Sequence, residues 1–152
     1  MSGLERKGVV MGTLVRDLMT TSVRAAAPTQ SLGDAAEIMK LENVGSVPVV
    51  DGDRLIGIVT DRDIVVRAVA ERRDPQAITV DEVASRALVT VAPEQDLDEA
   101  LRLMAAHQVR RLPVVEDGRL VGMLAQADVA IEAKDKKVGE VVEGISKPTG
   151  RG

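Results

Sequence analysis

The chain contains an internal repeat. When residues 15–66 are shifted by 65 positions they align without a gap with residues 80–131, and 15 of the 52 pairs are identical. Unrelated sequences of average composition would share about three. A unit of about 60 residues buries too small a share of its surface to be comfortably stable alone. The repeat therefore predicts two subdomains that cover each other's apolar faces, with a crevice between them that suits a ligand.

Composition limits the chemistry that this chain can perform. Hydrophobic residues make up 45%, but there is no Phe, Trp, Tyr or Cys. A bound ring must therefore lie between aliphatic side chains, and disulfide or thiolate chemistry is excluded. The net charge of -4 argues against nucleic acid as a partner. The sequence offers neither an apolar run long enough to span a membrane nor a signal peptide, so we expect a cytoplasmic protein.

The same order of elements is predicted in each copy. A short strand (22–26 and 87–91) is followed by a helix whose first turn carries an N-cap residue, Ser31 or Asp96, with an acidic residue three positions later. That helix ends near Asn43 or Gln108. A hairpin and a second helix follow, and Pro48 and Pro113 belong on edge strands because proline cannot donate to a ladder. The predicted boundaries are 13–72 and 78–134, with a tail at 135–152.

Two motifs recur within this order. A Pro-hydrophobic-hydrophobic string opens one strand of each copy, at Pro48 and at Pro113, and the next strand ends in Gly-x-x-Thr-x-x-Asp from Gly57 to Asp63. The doubled β-α-β-β-α pattern resembles the CBS domain, and two copies together resemble a Bateman module of the free-standing bacterial kind. The resemblance implies an α/β fold in which two CBS repeats pack with pseudo-two-fold symmetry.

The resemblance also implies a function. Such modules bind adenosine-containing ligands (AMP, ADP, ATP or S-adenosylmethionine), pair into disc-shaped homodimers, regulate an effector protein and have no catalytic chemistry of their own. Four residues map onto positions that line the base pocket in the family: Val23, Ser46, Val47 and Pro48.

The residues around the first motif suit a nucleotide. Thr60 lies where a helix begins, so its hydroxyl and the free N–H groups face an incoming oxygen. Asp63 can accept hydrogen bonds from both ribose hydroxyls, and Arg62 can reach a phosphate. The alternative is that Thr60-x-x-Asp63 is a plain capping box, which would occur here without any ligand.

The second copy departs from the motif. Ala125 replaces the threonine and the arginine is lost, but Asp128 remains. Arg110 and Arg111 stand where the first copy has Gly45 and Ser46, and they are either phosphate ligands or a solvated, dimer-facing basic pair. The two sites should therefore not be equivalent.

Three functions are compatible with this sequence. The first is a regulatory sensor that binds an adenosyl ligand, and the second is a structural or interaction dimer module that has lost ligand binding. An enzyme comes third, because no nucleophile or acid–base pair stands out, and His107 alone cannot build a zinc site. A homodimer is expected to pair the apolar helix faces, which carry Ile64, Val65, Ala68 and Val69 in the first copy and Val129, Ala130 and Ala133 in the second.

Overall fold

The computed structural model describes residues 12–132. The first repeat contains α1 (Val15–Leu18), α2 (Leu32–Glu42), β1 (Ser46–Asp51), β2 (Arg54–Thr60) and α3 (Asp61–Ile64), which continues as a π-helix over Val65–Val69. A 3-10 turn (Pro75–Ala77) leads to α4 (Val80–Val83), α5 (Leu97–His107), β3 (Arg111–Glu116) and β4 (Arg119–Ala125), and α6 begins at 126. The predicted tail at 135–152 lies outside the described residues. Within 12–132, no helix is long and apolar enough to cross a bilayer.

The two repeats are related by a pseudo-two-fold axis, as the resemblance implied. Three kinds of isolated backbone bridge each occur twice. One bridge of a pair is converted into the other when each residue is replaced by its counterpart 65 positions away in the other repeat. The pairs are Leu14–Asp96 with Ser31–Thr79, Thr20–Met123 with Ile58–Ser85, and Ala26–Val49 with Val91–Val114. Because two of these kinds join one repeat to the segment that precedes the other, the symmetry is built into the contacts that hold the repeats together.

The long helices begin and end near the predicted residues. The Ser31 hydroxyl accepts from the Asp34 N–H at 3.0 Å, and the Asp34 carboxylate accepts from the Ser31 N–H at 3.3 Å, which is the predicted capping box. Asn43 and Gln108 end α2 and α5 in the left-handed conformation. Asp96 is the N-cap residue of α5, as predicted, but its side chain makes no capping hydrogen bond to the first turn.

Two hairpins form one four-stranded antiparallel sheet in the order β1-β2-β4-β3. The hairpins meet near their turns, where Arg54 pairs with Arg119 and the Leu55 N–H donates to the Gly118 carbonyl at 3.1 Å. Pro48 and Pro113 lie on the two outer strands, as predicted. Beyond the turns, β2 and β4 each pair with a different segment of the chain, at Ser85 and Thr20.

The strands predicted at 22–26 and 87–91 are wrong, because each segment forms only one parallel bridge. The Ala26 N–H donates to the Pro48 carbonyl, and the Val50 N–H donates to the Ala26 carbonyl, both at 2.9 Å. The next bonds of a parallel ladder would need N–H groups from Pro48 on one side and Pro28 on the other. Proline has none, so the pairing stops after one residue.

Each repeat completes the core of the other. Ile78, Val80 and Val83 precede the second repeat's long helix but belong to the hydrophobic cluster of the first repeat, together with Leu32 and Val59. In the other direction, Val15 is fully buried in the cluster of the second repeat, which includes Leu97, Leu112 and Leu124. This exchange provides the mutual burial that the small size of each repeat requires.

Gly57 and Gly122 allow the exchanged segments to approach the sheet. A Cβ on Gly57 would lie 3.1 Å from the Ser85 carbonyl oxygen, and one on Gly122 would lie 3.0 Å from the Thr20 carbonyl oxygen. The backbone that approaches Gly57 is held in place because Ser85 and the neighbouring Ile58 exchange two hydrogen bonds.

The predicted dimer face is only partly exposed. Ala68 and Val129 are buried in the two cores, and Ile64 packs against the first. Val65, Val66 and Val69 are 55%, 42% and 64% exposed, and Ile131 is 60% exposed. Ala133 lies outside the described residues. The exposed set differs from a simple 3.6-residue stripe because Val65–Val69 is a π-helix, which shifts the faces of the side chains.

We predict that Ile78→Ala destabilises the chain by about 2–5 kcal/mol, because it removes a buried side chain from the core of the repeat that precedes it. Leu41→Ala is the control, since Leu41 is 60% exposed and should change stability by no more than about 0.5 kcal/mol. Chemical denaturation of both variants measures the difference. Equal, small effects would contradict the exchange of core segments.

We also predict that Gly57→Ala destabilises the chain by about 1–3 kcal/mol, because the added methyl group presses on backbone atoms of Ser85 that cannot rotate away. Gly33→Ala is a matched control within a helix, where the new methyl would meet only the flexible side chain of Gln76. Its stability should change by less than about 1 kcal/mol. Thermal unfolding of both variants tests this, and a neutral Gly57→Ala would refute the close approach.

Candidate functional site

A cleft of about 180 Å³ lies between the two repeats. Its walls come from the segment before α2, from the C-terminal half of α2, from β1, and from the two strands of the second repeat. The lining residues are Thr20, Ser22, Val23, Arg24, Ile38, Glu42, Val44, Ser46, Pro48, Arg111 and Met123. The cleft thus collects side chains as far apart in sequence as Thr20 and Met123, at the crevice that the repeat predicts.

A second depression, of about 460 Å³, runs along the outer side of α2. It is larger, but it is an open surface groove lined by one repeat alone, with Asp34, Glu37 and Leu41 among its residues. Specific ligand sites are concave and enclose most of the ligand. We therefore take the smaller, more enclosed cleft between the repeats as the candidate site.

Strand alternation decides which residues of β1 reach the cleft. Ser46 and Pro48 line it, whereas the side chain of Val47, which lies between them, is fully buried in the core of the first repeat. Successive side chains of a strand point to opposite faces. Only the backbone of Val47 is therefore in a position to contact a ligand in the cleft.

The cleft lining carries three charged side chains. Arg24 and Glu42 form an ion pair at its mouth, with the Arg24 Nε 3.4 Å from a Glu42 carboxylate oxygen. Both side chains are about half exposed, so this pair contributes little to stability. Arg111 is the third, and it reaches the cleft from the first residue of β3.

Arg111 is the most unusual polar group of the cleft. Its Nε is shielded from solvent and has no hydrogen-bond partner within residues 12–132. Loss of solvent lowers the pKa of Arg111, while the negative charges of Asp128 and Glu42 act in the opposite direction. A shielded donor without a partner is costly, so Arg111 combines a place in the cleft lining with an N–H donor that the described residues leave unsatisfied.

The Thr60 motif forms a capping box beside the cleft. The Thr60 hydroxyl accepts from the Asp63 N–H at 3.1 Å, and Oδ2 of Asp63 accepts from the Thr60 N–H at 2.9 Å. The plain capping alternative is therefore realised in the structure. It does not exclude a ligand role, because a carboxylate has two oxygens and accepts several hydrogen bonds. Thr60 pairs directly with Ser46 of the cleft lining, so the helix start is adjacent to the site.

The start of α3 is held by the loop before β1. The Asp61 N–H donates to the Gly45 carbonyl at 2.9 Å, and a side chain at Gly45 would meet the Asp61 carboxylate. The second repeat keeps the backbone bond, from the Gln126 N–H to the Arg110 carbonyl at 2.7 Å, but not the residue types. Arg110 is exposed and Asp128 is half-buried. The starts of the second helices in the two repeats thus have the same backbone hydrogen bond but differ in charge.

The structure brings some of the predicted site residues together and separates others. Val23, Ser46, Pro48 and Arg111 line one cleft. Thr60 and Asp63 stand next to it as a helix cap, with Arg62 exposed on the first turn. Arg110 and Asp128 belong to the second repeat outside this lining, although the charge of Asp128 is felt by Arg111.

Sequence reasoning missed several residues of the cleft. Arg24 and Glu42 carry charge into it, and Met123 closes it from the second repeat. Arg24 and Glu42 could have been found from their sequence positions. Arg24 follows the predicted site residue Val23, and Glu42 lies in the last turn of α2, just before β1. Met123 had no such signal, because it reaches the cleft through its backbone pairing with Thr20, at 2.8 and 2.9 Å.

No described group of residues resembles a metal centre. Between residues 12 and 132, no three His, Cys, Asp or Glu side chains lie close enough together to hold an ion. Asp61 and Asp63 lie on the same first turn, but Oδ1 of Asp61 accepts from the Arg62 N–H at 2.8 Å, and Asp63 is part of the capping box.

Comparison with known sequences reveals close relatives of similar length. The chain is 44% identical over 133 residues to the CBS domain-containing protein YhcV of Bacillus subtilis, covering 87% of this chain and 94% of that protein. It is 36% identical over 137 residues to hypoxic response protein 1 of Mycobacterium tuberculosis, covering 90% and 96%. The relatives therefore align over nearly their whole length.

Solved structures show the same fold with different ligands. Hypoxic response protein I, crystallised with two coordinated zinc ions, matches with a TM-score of 0.72 and 38% identity over 78% of this chain and 98% of that chain. CBSX2 in complex with AMP matches with a TM-score of 0.72 and 29% identity over 83% and 99%. The CBS domain pair of MJ0100, in complex with 5'-methylthioadenosine and S-adenosyl-L-methionine, matches with 0.69 and 28% over 82% and 98%.

The family model of the CBS domain matches twice, at residues 15–69 and 80–135. Both ranges start at the short helices, α1 and α4, that pack into the core of the opposite repeat. The duplicated sequence, the pseudo-two-fold fold and the double match agree, and the chain belongs to the CBS domain family as a protein with two CBS repeats.

Proposed function

We propose that this chain is a non-catalytic regulatory module of the cytoplasm that binds an adenosine-containing ligand (AMP, ADP, ATP or S-adenosylmethionine) between its repeats and transmits its state to an effector protein. The observation that carries the proposal is the cleft in which Ser46 of one repeat and Arg111 of the other face the same space. Complexes of similar CBS pairs with AMP and with S-adenosyl-L-methionine support it.

The cleft offers a different surface to each part of such a ligand. Val23, Ile38 and Val44 provide aliphatic contacts for the base, since this chain has no aromatic side chain to stack on it. Beside the cleft, the Asp63 carboxylate offers acceptors to the ribose hydroxyls, and Arg111 in the lining faces the charged end. The cleft of about 180 Å³ is smaller than common ligand pockets of about 300–1,000 Å³, and we propose that it widens when a ligand binds.

This widening gives the module a means of regulation. A ligand that contacts both Ser46 and Arg111 binds more strongly to the arrangement of repeats that opens the cleft. A ligand shifts a conformational equilibrium only through such a difference in affinity. Because the exchanged segments tie the two repeats together, a change at the cleft is transmitted to the surface that an effector would recognise.

A second candidate function is a structural or interaction dimer module without ligand affinity. The internal satisfaction of Thr60 and Asp63 as a helix cap favours it, since both groups already have partners. A thermal-shift screen against AMP, ADP, ATP and S-adenosylmethionine separates the two. A ligand at 100 times its Kd should add about 2.7 kcal/mol of stability, and the absence of any shift would favour the structural module.

We predict a homodimer that pairs the exposed valines of the π-helix. Val65, Val66 and Val69 form an apolar patch that suits a closed two-fold assembly. Light scattering at about 10 µM, a range where specific interfaces with Kd near 1 µM are populated, should give twice the chain mass. Val69→Asp should shift the mass toward that of the monomer. Val109→Asp, outside the patch, should not, and a monomeric parent chain would contradict the prediction.

We predict that Asp63→Ala weakens adenosyl-ligand binding about ten- to hundred-fold, because two ribose hydroxyls lose a charged acceptor. Asp128→Ala should cost less, since the second repeat lacks the threonine of the motif. Calorimetric titration with AMP measures both variants. Asp63 also caps α3, so the unfolding of each variant is measured separately. Parent-like binding by Asp63→Ala, or loss of binding only in Asp128→Ala, would contradict the assignment.

A further inference from the structure

We propose that residues 137–143 are a third copy of the segment that the two repeats exchange, and that they compete with α1 for its place in the second repeat. The shared pattern is a valine followed two positions later by an acidic residue and three and four positions later by apolar residues. It occurs as Val15-Arg-Asp-Leu-Met in α1, as Val80-Asp-Glu-Val-Ala in α4 and as Val138-Gly-Glu-Val-Val near the C-terminus. Residues 137–143 lie outside the described part of the chain, but the place that α1 occupies is fully described.

Backbone hydrogen bonds hold α1 in the second repeat. The Val15 N–H donates to the Gln95 carbonyl, and the Leu97 N–H donates to the Thr13 carbonyl, both at 2.9 Å. We call the place formed by Gln95, Leu97 and Met123 the α1 docking site. The α4 segment makes the same two bonds to the first repeat, at 2.7 and 2.9 Å. Because every residue except proline can form such bonds, they hold a segment without selecting its sequence.

Two side chains of the segment select its sequence. Val15 is fully buried, and Leu18 packs against the hydrophobic cluster of the second repeat. The two residues between them are exposed, and α4 has the same order of buried and exposed positions. In the third copy, Val138 and Val141 supply the buried pair, and residues 139–140 fall at the exposed positions. The third copy therefore carries what the α1 docking site requires.

The order of elements favours the same site. α4 follows the second helix of the first repeat and docks in that same repeat. The segment that follows the second helix of the second repeat is 137–143, whereas α1 reaches its docking site from the N-terminal side. Relative to the second repeat, residues 137–143 therefore stand in the chain where α4 stands relative to the first.

The third copy is also within reach of the α1 docking site. In the first repeat, the Arg73 N–H donates to the Ala68 carbonyl at the end of the π-helix, and the Arg73 guanidinium lies 3.2 Å from the Glu82 carboxylate of α4. The second helix of that repeat thus ends beside α4, and the pseudo-two-fold relation places the end of α6 beside α1. The five residue steps from 132 to 137 span up to about 18 Å.

Such an exchange would act on the cleft. Residues 20–24 follow α1 directly and contribute to one wall of the cleft. Thr20 is held there by two backbone hydrogen bonds to Met123, at 2.8 and 2.9 Å. When residues 137–143 occupy the α1 docking site, α1 leaves it and this wall loses its anchor. The occupant of the α1 docking site therefore decides whether the cleft is complete.

The test is disulfide trapping in the full chain, which has no cysteine of its own. Leu14 and Asp96 form an antiparallel backbone bridge, and the Cα spacing of such pairs, about 4.5–5.5 Å, suits a disulfide. Leu14→Cys with Asp96→Cys is the reference pair and should cross-link in the parent chain. Lys137→Cys with Asp96→Cys is the reporter pair, because Lys137 aligns with Leu14. Lys137→Cys with Ser31→Cys is the matched control: it probes the site that α4 fills and should not cross-link.

The reporter pair should respond to the occupant of the α1 docking site. Val15→Asp places a carboxylate at a buried position and should raise the reporter yield in glutathione buffer at least about tenfold, since burying an unpaired charge costs more than the 1.4 kcal/mol that a tenfold shift requires. Val15→Ala, which guards against loss of fold, should raise it by a smaller factor. Val138→Asp, added to either variant, should return the yield to the parent level.

Mass spectrometry identifies the linked residues and shows whether the link lies within one chain. An unchanged reporter yield in Val15→Ala, or a raised yield that Val138→Asp does not lower, would overturn the inference. A link between two chains would overturn competition within one chain and assign the α1 docking site to a second copy. The test needs no ligand, so its outcome is independent of the proposed function.

Discussion

Exchange of short segments between the repeats is the interaction on which the rest of the structure depends. Ile78, Val80 and Val83 complete the core of the first repeat, and Val15 is buried in that of the second. Neither repeat buries enough apolar surface by itself, and the absence of aromatic residues leaves only aliphatic side chains to fill the interior. The two halves are therefore parts of one cooperative unit rather than two domains joined by a linker.

Two glycines make this exchange of segments possible, because they have no side chain to block the approach of another segment. Gly57 and Gly122 let the backbone of Ser85 and of Thr20 lie against the inner strands. These segments occupy the space left where β2 and β4 diverge beyond their single shared pair. Prolines have the complementary role on the outer strands, where they end the pairing with the segments that precede the long helices. Glycine and proline thus set where each strand is covered and where it stops.

The candidate site is a consequence of the same arrangement. Because the repeats meet around a pseudo-two-fold axis, the starts of their first strands face a common cleft, and a substitution in one repeat changes the pocket of the other. Arg111 illustrates this: its own repeat lacks the threonine of the motif, but the guanidinium lines the space that Val23 and Ser46 also line. Divergence between duplicated halves can in this way produce one charged site from two similar ones.

The sequence by itself determined the duplication, the order of the long helices and hairpins, the capping box at Ser31 and the positions of both hairpins, because these depend on local periodicity, caps and turns. The spacing of Thr60 and Asp63 also predicted their capping contact. The family resemblance pointed to Val23, Ser46 and Pro48, and the basic character of Arg111 made it a candidate phosphate ligand; these four residues line one cleft. The positions of the prolines also explain why 22–26 and 87–91 form single bridges and not the predicted strands.

Only the tertiary structure decided which segment packs in which core, that Gly57 makes room for Ser85, and that Arg24, Glu42 and Met123 share the cleft with Arg111. The tertiary structure also decided that the side chain of Val47 is buried in the core and that the side chain of Val66 is exposed on a π-helix. Such outcomes depend on contacts between residues far apart in the chain, whose energies are decided by packing and solvent exclusion, and no local pattern of residues records them.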